Sequence, residues 1–549
     1  MELGMYQGAW WVLTIFIIYM LGMLYIGYIC SKRISDTTDY IVAGRRLPLF
    51  YNVGTLFATW FCAGTVMGGA ANAYLFGNQG VIFDPWGAAL CLAIAGLFFL
   101  RLMRRGRYIT LVDIFDLRYG KRMGLASAIT LAIGEAGWVG AQLVGFGSIL
   151  QVFTGIPLGW GIIISTFVVV LYTYQGGMWS VTLTDVVQMI ILIIGILILF
   201  PAVISHVGGW NAFVTNAGDW ADIAPFAMAP TAESGFLGYT GTTGWIYYIA
   251  AWLSLGLGSI PAQDLMQRAL SAKNEAVGVH ASYISAIMYI VIGLLPVWMG
   301  IAMYEINPNL TVPETEMILP WLAKEFLHPA FAGIFVVGLV AALMSSADSA
   351  LLAAASMVGY NCVKYLKPGA SEEYMLKVTR LFVPITAVVS LLLALYAATI
   401  YKLMVIAWTI FLVGLFAPYA AAFFWKKANH TGALAALLAG FGSWVAFIFY
   451  YLPSTMEANV GVIEEGVVYM DWAIWDAVYL ASVPGFIISI VTLVVVSLLT
   501  QKRDPAKPLV DVDGNPLPVK DYLGLMHIKY AIGDRWEKLM ERKSKGAAA

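Results

Sequence analysis

Apolar stretches long enough to span a bilayer recur along nearly all of this 549-residue chain, and that recurrence excludes most folds before any motif is considered. A hydrocarbon core about 30 Å thick needs about 20 helical residues to cross it. Windows of this kind lie near 9–29, 50–75, 82–103, 123–153, 158–175, 181–205, 243–263, 276–303, 329–361, 376–398, 403–425, 431–452 and 475–499. With 60% of residues hydrophobic and 11% charged, the chain carries more apolar surface than a soluble core absorbs. Backbone polar groups in lipid must be paired within each segment, so the expected fold is an all-α polytopic membrane protein of about 13 helices.

No Lys or Arg precedes the first apolar run, Trp10 to Ile29, so a retained span is expected there rather than a cleaved signal peptide. Cys30, Cys62, Cys91 and Cys362 lie in or beside apolar segments and form no CxxC pair; they read as small buried residues. The charges choose the orientation. Lys32, Arg33, Arg45 and Arg46 follow the first span, and seven Lys and Arg between Arg101 and Arg122 follow the third. Arg268, Lys273, Lys364, Lys367, Lys377, Arg380, Lys426 and Lys427 fall on the same side, and only Lys324 and Lys402 fall on the other. A multi-pass protein of a plasma or bacterial inner membrane follows, with its N-terminus outside and its C-terminus in the cytoplasm. The opposite loops fit, since Asp219, Asp222, Glu233, Glu457, Glu464, Glu465 and Asp471 stand in stretches without a basic residue. A short helix is expected from Pro313-Glu314, and a turn at Asp513-Gly514-Asn515-Pro516 in a soluble tail. Asp511 and Asp513 lack the spacing and closing Glu of an EF-hand.

Polar groups stand out against this background. Ala342-Leu343-Met344-Ser345-Ser346-Ala347-Asp348-Ser349 interrupts an apolar run, and groups at that depth are costly and usually mark an ion or substrate path. On a helix Ala342, Ser345, Ser346 and Ser349 share one face, which offers hydroxyl oxygens to a small hard cation. The plainer alternative is bonding back to the preceding turn or to a neighbouring helix. Two other spans are interrupted by glycine or proline, at Ala58 to Gly69 and at Leu255 to Pro261. They lie five spans apart, the spacing of an inverted repeat whose discontinuous helices bind substrate and ion. Ordinary close packing at Gly64 and Gly68 and a proline kink at Pro261 are the alternatives.

The blocks Gly176-Gly177-Met178-Trp179-Ser180-Val181-Thr182-Leu183-Thr184-Asp185-Val186-Val187-Gln188, Gln267-Arg268 and Met344 to Ser349 resemble the sodium:solute symporter family, a branch of the LeuT-type fold. The resemblance implies a five-plus-five inverted repeat with one N-terminal and two C-terminal extra helices. Its expected divisions are 1–47 (extra helix and cytoplasmic loop), 48–206 (first repeat), 207–242 (extracellular loop), 243–425 (second repeat), 426–500 (two extra helices) and 501–549 (cytoplasmic tail). It also implies Na+ as coupling ion, held by the carbonyls of Ala58, Phe61 and Ala342 and the hydroxyls of Ser345 and Ser346. Asp185 and Ser349 form a candidate second ion site; a helix N-terminal carboxylate is the other reading of Asp185.

Within the family, Gly120-Lys121-Arg122-Met123-Gly124, Gly134-Glu135 and Trp138 are similar to the choline-transporting branch. A quaternary ammonium is held by aromatic faces, and Trp60 and Trp138 match such positions. Gly64 and Ala262, at the two interruptions, complete the expected substrate-facing set. Ala262 departs from the branch, which has a tryptophan there, so Trp252, Trp86 or a tyrosine would have to supply that wall. The expected function is sodium-coupled symport of a small organic solute, choline-like or betaine-like, with proline, another amino acid or a monocarboxylate as the alternative. A non-transporting membrane sensor is a reading of another class. No GxxxxGK[ST] supports a primary pump, and no Ser/His/Asp or metal cluster supports an enzyme or an organic cofactor. Expected partners are the solute, sodium and the bilayer, with no nucleic acid; the oligomeric state stays open.

Overall fold

The computed structural model describes residues 9–62, 64–218, 226–230, 235–397, 400–458, 463–464, 467–468 and 470–519. Asp219, Asp222, Glu233 and Glu465, and the tail beyond 519, lie outside the described residues. The described residues are helical throughout, apart from bends, turns and one antiparallel pair, Ile463–Glu464 with Val467–Val468.

Among the described residues, ten helical stretches are long and apolar enough to cross a membrane. The three remaining windows fold differently for identifiable reasons. The window near 50–75 is a broken helix: Leu49–Trp60 ends at Phe61 (φ −79°, ψ 78°), and the chain resumes through the π-helical turn Gly64–Gly68 into Gly69–Phe76. The window near 243–263 is the second broken helix, with halves Gly241–Gly256 and Gln263–Ser271. The window near 158–175 is the first part of Leu158–His206, which bends at Gly177 (φ 49°, ψ −148°). A β-carbon at Gly177 would press on the Tyr40 carbonyl and ring, so the bend needs glycine both for its backbone and for this close approach.

Burial separates an inner bundle from a lipid-facing rim. The window of Pro329–Leu366 is 83% buried, whereas those of Trp10–Ser31 and Ala473–Thr500 are 22% and 28% buried. The exposed side chains of the rim are large and apolar, among them Ile18, Phe449 and Leu499. A patch of that extent suits hydrocarbon and not water. Ala9–Ser31 packs against Leu158–His206 and Pro329–Ser356, and His430–Ala458 packs against Met470–Thr500. Their low burial places these helices on the rim of the bundle.

The basic loops meet at one end. Arg104 Nε donates to the Ala272 carbonyl at 2.7 Å, Arg105 pairs with Glu275 at 2.7 Å, and Lys364 approaches Asp113 at 3.3 Å. The start of the tail lies over this end: Tyr108 donates to the Val510 carbonyl at 2.7 Å, Arg107 pairs with Asp513, and Arg118 bonds the Lys507 carbonyl. The expected turn is present, with Gly514 at φ 83° and Val510 bridged to Pro516. The expected short helix is Val312–Thr315, opened by a Thr311/Glu314 capping box.

Candidate functional site

Breaking a helix leaves its last carbonyls without intrahelical partners. In the first broken helix three successive carbonyls meet this condition, and each is met by a hydroxyl from another helix. Ser345 Oγ donates to the Ala58 carbonyl at 2.8 Å, Ser346 Oγ to the Thr59 carbonyl at 2.6 Å, and Tyr289 to the Trp60 carbonyl at 2.5 Å. Ser345 and Ser346 also reach back to the Ala342 carbonyl, at 2.8 Å and 3.3 Å. Both readings of the serine pair therefore hold together: the hydroxyls bond their own preceding turn and bridge to the break. Ala58, Ala342, Ser345 and Ser346 come together as expected. At Phe61 the N–H donates to the Phe57 carbonyl at 2.8 Å, and the two serine hydroxyls bond the Ala58 and Thr59 carbonyls. Thr59, which the residue pattern did not single out, joins them through its carbonyl.

Five oxygens thus converge between two helices: three carbonyls and two hydroxyls, with both serines fully buried. Oxygen dipoles without a full charge can replace the hydration shell of a small hard cation, so the donor set fits sodium.

The candidate second ion position contains a cation of the protein itself. Asp185 accepts from Thr55 Oγ1 at 2.5 Å and lies 3.6 Å from the Arg268 guanidinium; both ends of that pair are fully buried. The same guanidinium donates to Ser349 Oγ. Ser349 in turn donates to the Ser345 carbonyl at 2.6 Å and lies 3.2 Å from Thr59 Oγ1. Asp185 and Ser349 are brought together, with Arg268 from the second broken helix between them.

Trp60 and Trp138 are also brought together, through a third indole. Trp408, on Ile400–Phe411, stacks on Trp60 at 5.7 Å and meets Trp138 edge-on at 5.0 Å. The indole N–H groups of all three are buried and have no acceptor among the described residues. Gly64 faces Met404 so closely that a β-carbon would overlap its sulfur. Ala262 is buried at the start of Gln263–Ser271. Its own break approaches the cluster at Gly258, where a β-carbon would overlap the Trp408 carbonyl. Of the residues expected to supply the missing wall, Trp252 and Trp86 are partly buried, and the indole that joins Trp60 and Trp138 is that of Trp408.

Glu135 shares a face with Trp138 on Lys121–Thr154, three residues away. Its Oε1 accepts from the backbone N–H groups of Gln263 at 3.1 Å and Asp264 at 3.3 Å, capping the second half of the second broken helix. The Glu135/Trp138 spacing was the available signal for this cap. Thr59 gives no such signal, because it takes part through its backbone carbonyl.

A model described as "SSF: Sodium:solute symporter family" matches residues 40–440. The high affinity choline transporter 1 of Homo sapiens is 30% identical over 444 residues, covering 77% of this chain and 74% of that one. The osmoregulated proline transporter OpuE of Bacillus subtilis is 27% identical over 523 residues, covering 89% and 94%. Among solved structures, a Na+-coupled sialic acid symporter in a substrate-bound outward-open state superposes with a TM-score of 0.69 at 21% identity, covering 92% of this chain and all of that one. At that identity the likeness concerns the fold.

Proposed function

The chain belongs to the sodium:solute symporter family, and from that premise we propose that it imports a small ammonium solute, choline-like or betaine-like, by sodium-coupled alternating access. The observation that carries this reading is the bridge between the first broken helix and Pro329–Ser356. Two hydroxyls and three carbonyls meet there, two of the carbonyls on the residues just before Trp60. Sodium at those oxygens ties the break to the neighbouring helix and fixes the turn that presents Trp60. Sodium binding then raises solute affinity, and by linkage solute raises sodium affinity.

The indole faces of Trp60, Trp138 and Trp408 suit an ammonium group. Their N–H groups, lacking acceptors among the described residues, suit a hydroxyl or carboxylate oxygen on the same solute. The alternative solute is proline or another amino acid, favoured by Ala262 in place of an aromatic wall and by the similarity to OpuE. We assign one sodium to the serine site, because Arg268 engages both Asp185 and Ser349. The remaining parts of the reading are about 13 spans, the six divisions at 47, 206, 242, 425 and 500, an outside N-terminus, a cytoplasmic C-terminus and no catalytic reaction. The gathering of basic loops at one end supports the orientation.

The test is thermal stabilisation of the purified protein by sodium against choline, glycine betaine, proline and a monocarboxylate, with potassium as control. A shift that needs both sodium and an ammonium solute is expected. A solute-induced shift of equal size in potassium would refute the coupling.

A further inference from the structure

Asp84 is a buried carboxyl that neither the serine site nor the indole cluster uses. It lies in the π-helical turn Ile82–Gly87 and is 1% exposed. Its Oδ2 is 2.7 Å from Thr65 Oγ1, which is 2.5 Å from the Tyr289 hydroxyl, which is 2.5 Å from the Trp60 carbonyl. Three short links therefore join four oxygens from four helical segments, and Thr65 Oγ1 also lies 3.4 Å from the Trp60 carbonyl.

Each link needs one proton. The Trp60 carbonyl has none to give, and the hydroxyls of Thr65 and Tyr289 have one each. With Asp84 ionised, the links have two protons among three, and one pair of oxygens is left facing lone pair to lone pair. With Asp84 protonated the count closes, and every link runs one way: Asp84 donates to Thr65, Thr65 to Tyr289, and Tyr289 to the Trp60 carbonyl. Aligned chains of this kind reinforce each member.

The surroundings favour a proton over other cations. Oxygens this close together leave no room for a metal ion between them. No Lys, Arg or His pairs with Asp84 among the described residues, and its Oδ1 has no hydrogen-bond partner there. The titratable groups that face it are Tyr289 on Glu275–Ile306 and Cys62 in the break of the first helix. On Gly241–Gly256, which also packs against this turn, Tyr247 is bonded to Asp476 at 2.7 Å.

We propose that Asp84 is a proton-binding site and that its proton is linked to sodium through consecutive carbonyls of the helix break. Ala58 and Thr59 present their carbonyls to Ser345 and Ser346, and the next carbonyl, that of Trp60, ends the Asp84 chain. When Asp84 releases its proton to water, the Tyr289 hydroxyl turns toward the chain's missing link and lets go of the Trp60 carbonyl. The turn that holds the two sodium-facing carbonyls loses that anchor. Proton and sodium thus favour the same arrangement of the break, and each tightens the other's binding. The proton site stands on this geometry alone; its link to sodium rests on the proposed serine site.

Infrared difference spectroscopy of the purified protein tests the first half. A protonated-carboxyl absorption at neutral pH is expected to disappear in Asp84→Asn, to shift in Thr65→Val, and to persist in Tyr289→Phe. Sodium titration by thermal shift tests the second half. From about pH 6 to about pH 9 the half-saturating sodium concentration of the unmodified protein is expected to rise about fivefold or more. In Asp84→Asn and Tyr289→Phe it should stay nearly level. A spectrum that neither Asp84→Asn nor Thr65→Val alters overturns the proton site. Equal pH slopes in all the proteins overturn the link. Loss of every sodium response, with the infrared band intact, overturns the serine site and the link with it while upholding the proton site.

Discussion

Replacing Ser345 and Ser346 together by alanine separates the two roles of their hydroxyls. Ser345 holds the Ala58 and Ala342 carbonyls at 2.8 Å each, and Ser346 holds those of Thr59 and Ala342 at 2.6 Å and 3.3 Å. Without sodium, the double variant leaves the Ala58 and Thr59 carbonyls buried with no partner, at a cost of about 1–3 kcal/mol for each. With sodium, those carbonyls regain a ligand, but the ion has lost two of its five oxygens. Counting about 1–1.5 kcal/mol for each lost hydroxyl, sodium affinity falls by about 2–3 kcal/mol, or about 30- to 150-fold. The two effects have separate readouts. The sodium-free melting temperature reports the orphaned carbonyls, and the sodium concentration giving half of the full thermal shift reports the ion site. Ionic strength is held with a large organic cation. Solute affinity at saturating sodium should move far less than the sodium midpoint. A lower melting temperature with an unchanged sodium midpoint would refute the assignment, because it would mean that these hydroxyls only cap a helix.

Other expectations concern the neighbouring groups. Trp408→Ala should weaken solute binding by about 2 kcal/mol, the scale of a desolvated cation–aromatic contact, and leave the sodium midpoint in place; calorimetric titration with choline and betaine reads it. Gly64→Ala should lower solute affinity because its methyl group overlaps Met404, and Gly64→Ala with Met404→Ala should recover it. Arg268→Met should cost about 3–5 kcal/mol by leaving Asp185 buried without its cation. Denaturant unfolding should show most of that loss recovered by adding Asp185→Asn, and partly by sodium, which can then approach Asp185 and Ser349. Tyr108→Phe should cost about 1 kcal/mol and expose residues 505–519 to protease, since the hydroxyl bonds the Val510 carbonyl.

What could be read from the residues depended on whether a role is carried by a side chain at helical spacing. Ser345, Ser346 and Ser349 recur on one helical face within an apolar run, so their convergence on the break was legible. The glycines at 64 to 69 and the Gly-Pro stretch at 255 to 261 marked both breaks. Backbone roles leave no such trace: any residue at 59 has a carbonyl, so the part of Thr59 showed only once the direction of the last turn was known. Trp408 lies in an apolar run, where an indole looks like packing; its role follows from two other helices bringing Trp60 and Trp138 against it. Arg268 belonged to a recognisable pair with Gln267, yet a guanidinium closing the Asp185 site depends on how the second broken helix inserts. These cases share one cause. Periodicity shows which side of a helix faces inward, while the partner it meets there is set by the crossing of helices far apart in sequence, 81 residues for Arg268 and Ser349 and 287 for Ser346 and Thr59. The break of the first helix concentrates both kinds of information. Its interruption is local and written in glycine, but its three freed carbonyls are answered by Ser345, Ser346 and Tyr289 from two distant helices. An ion held by the Ala58 and Thr59 carbonyls therefore acts on the same turn whose next carbonyl is held by Tyr289, and sodium binding at this break can be felt at Trp60.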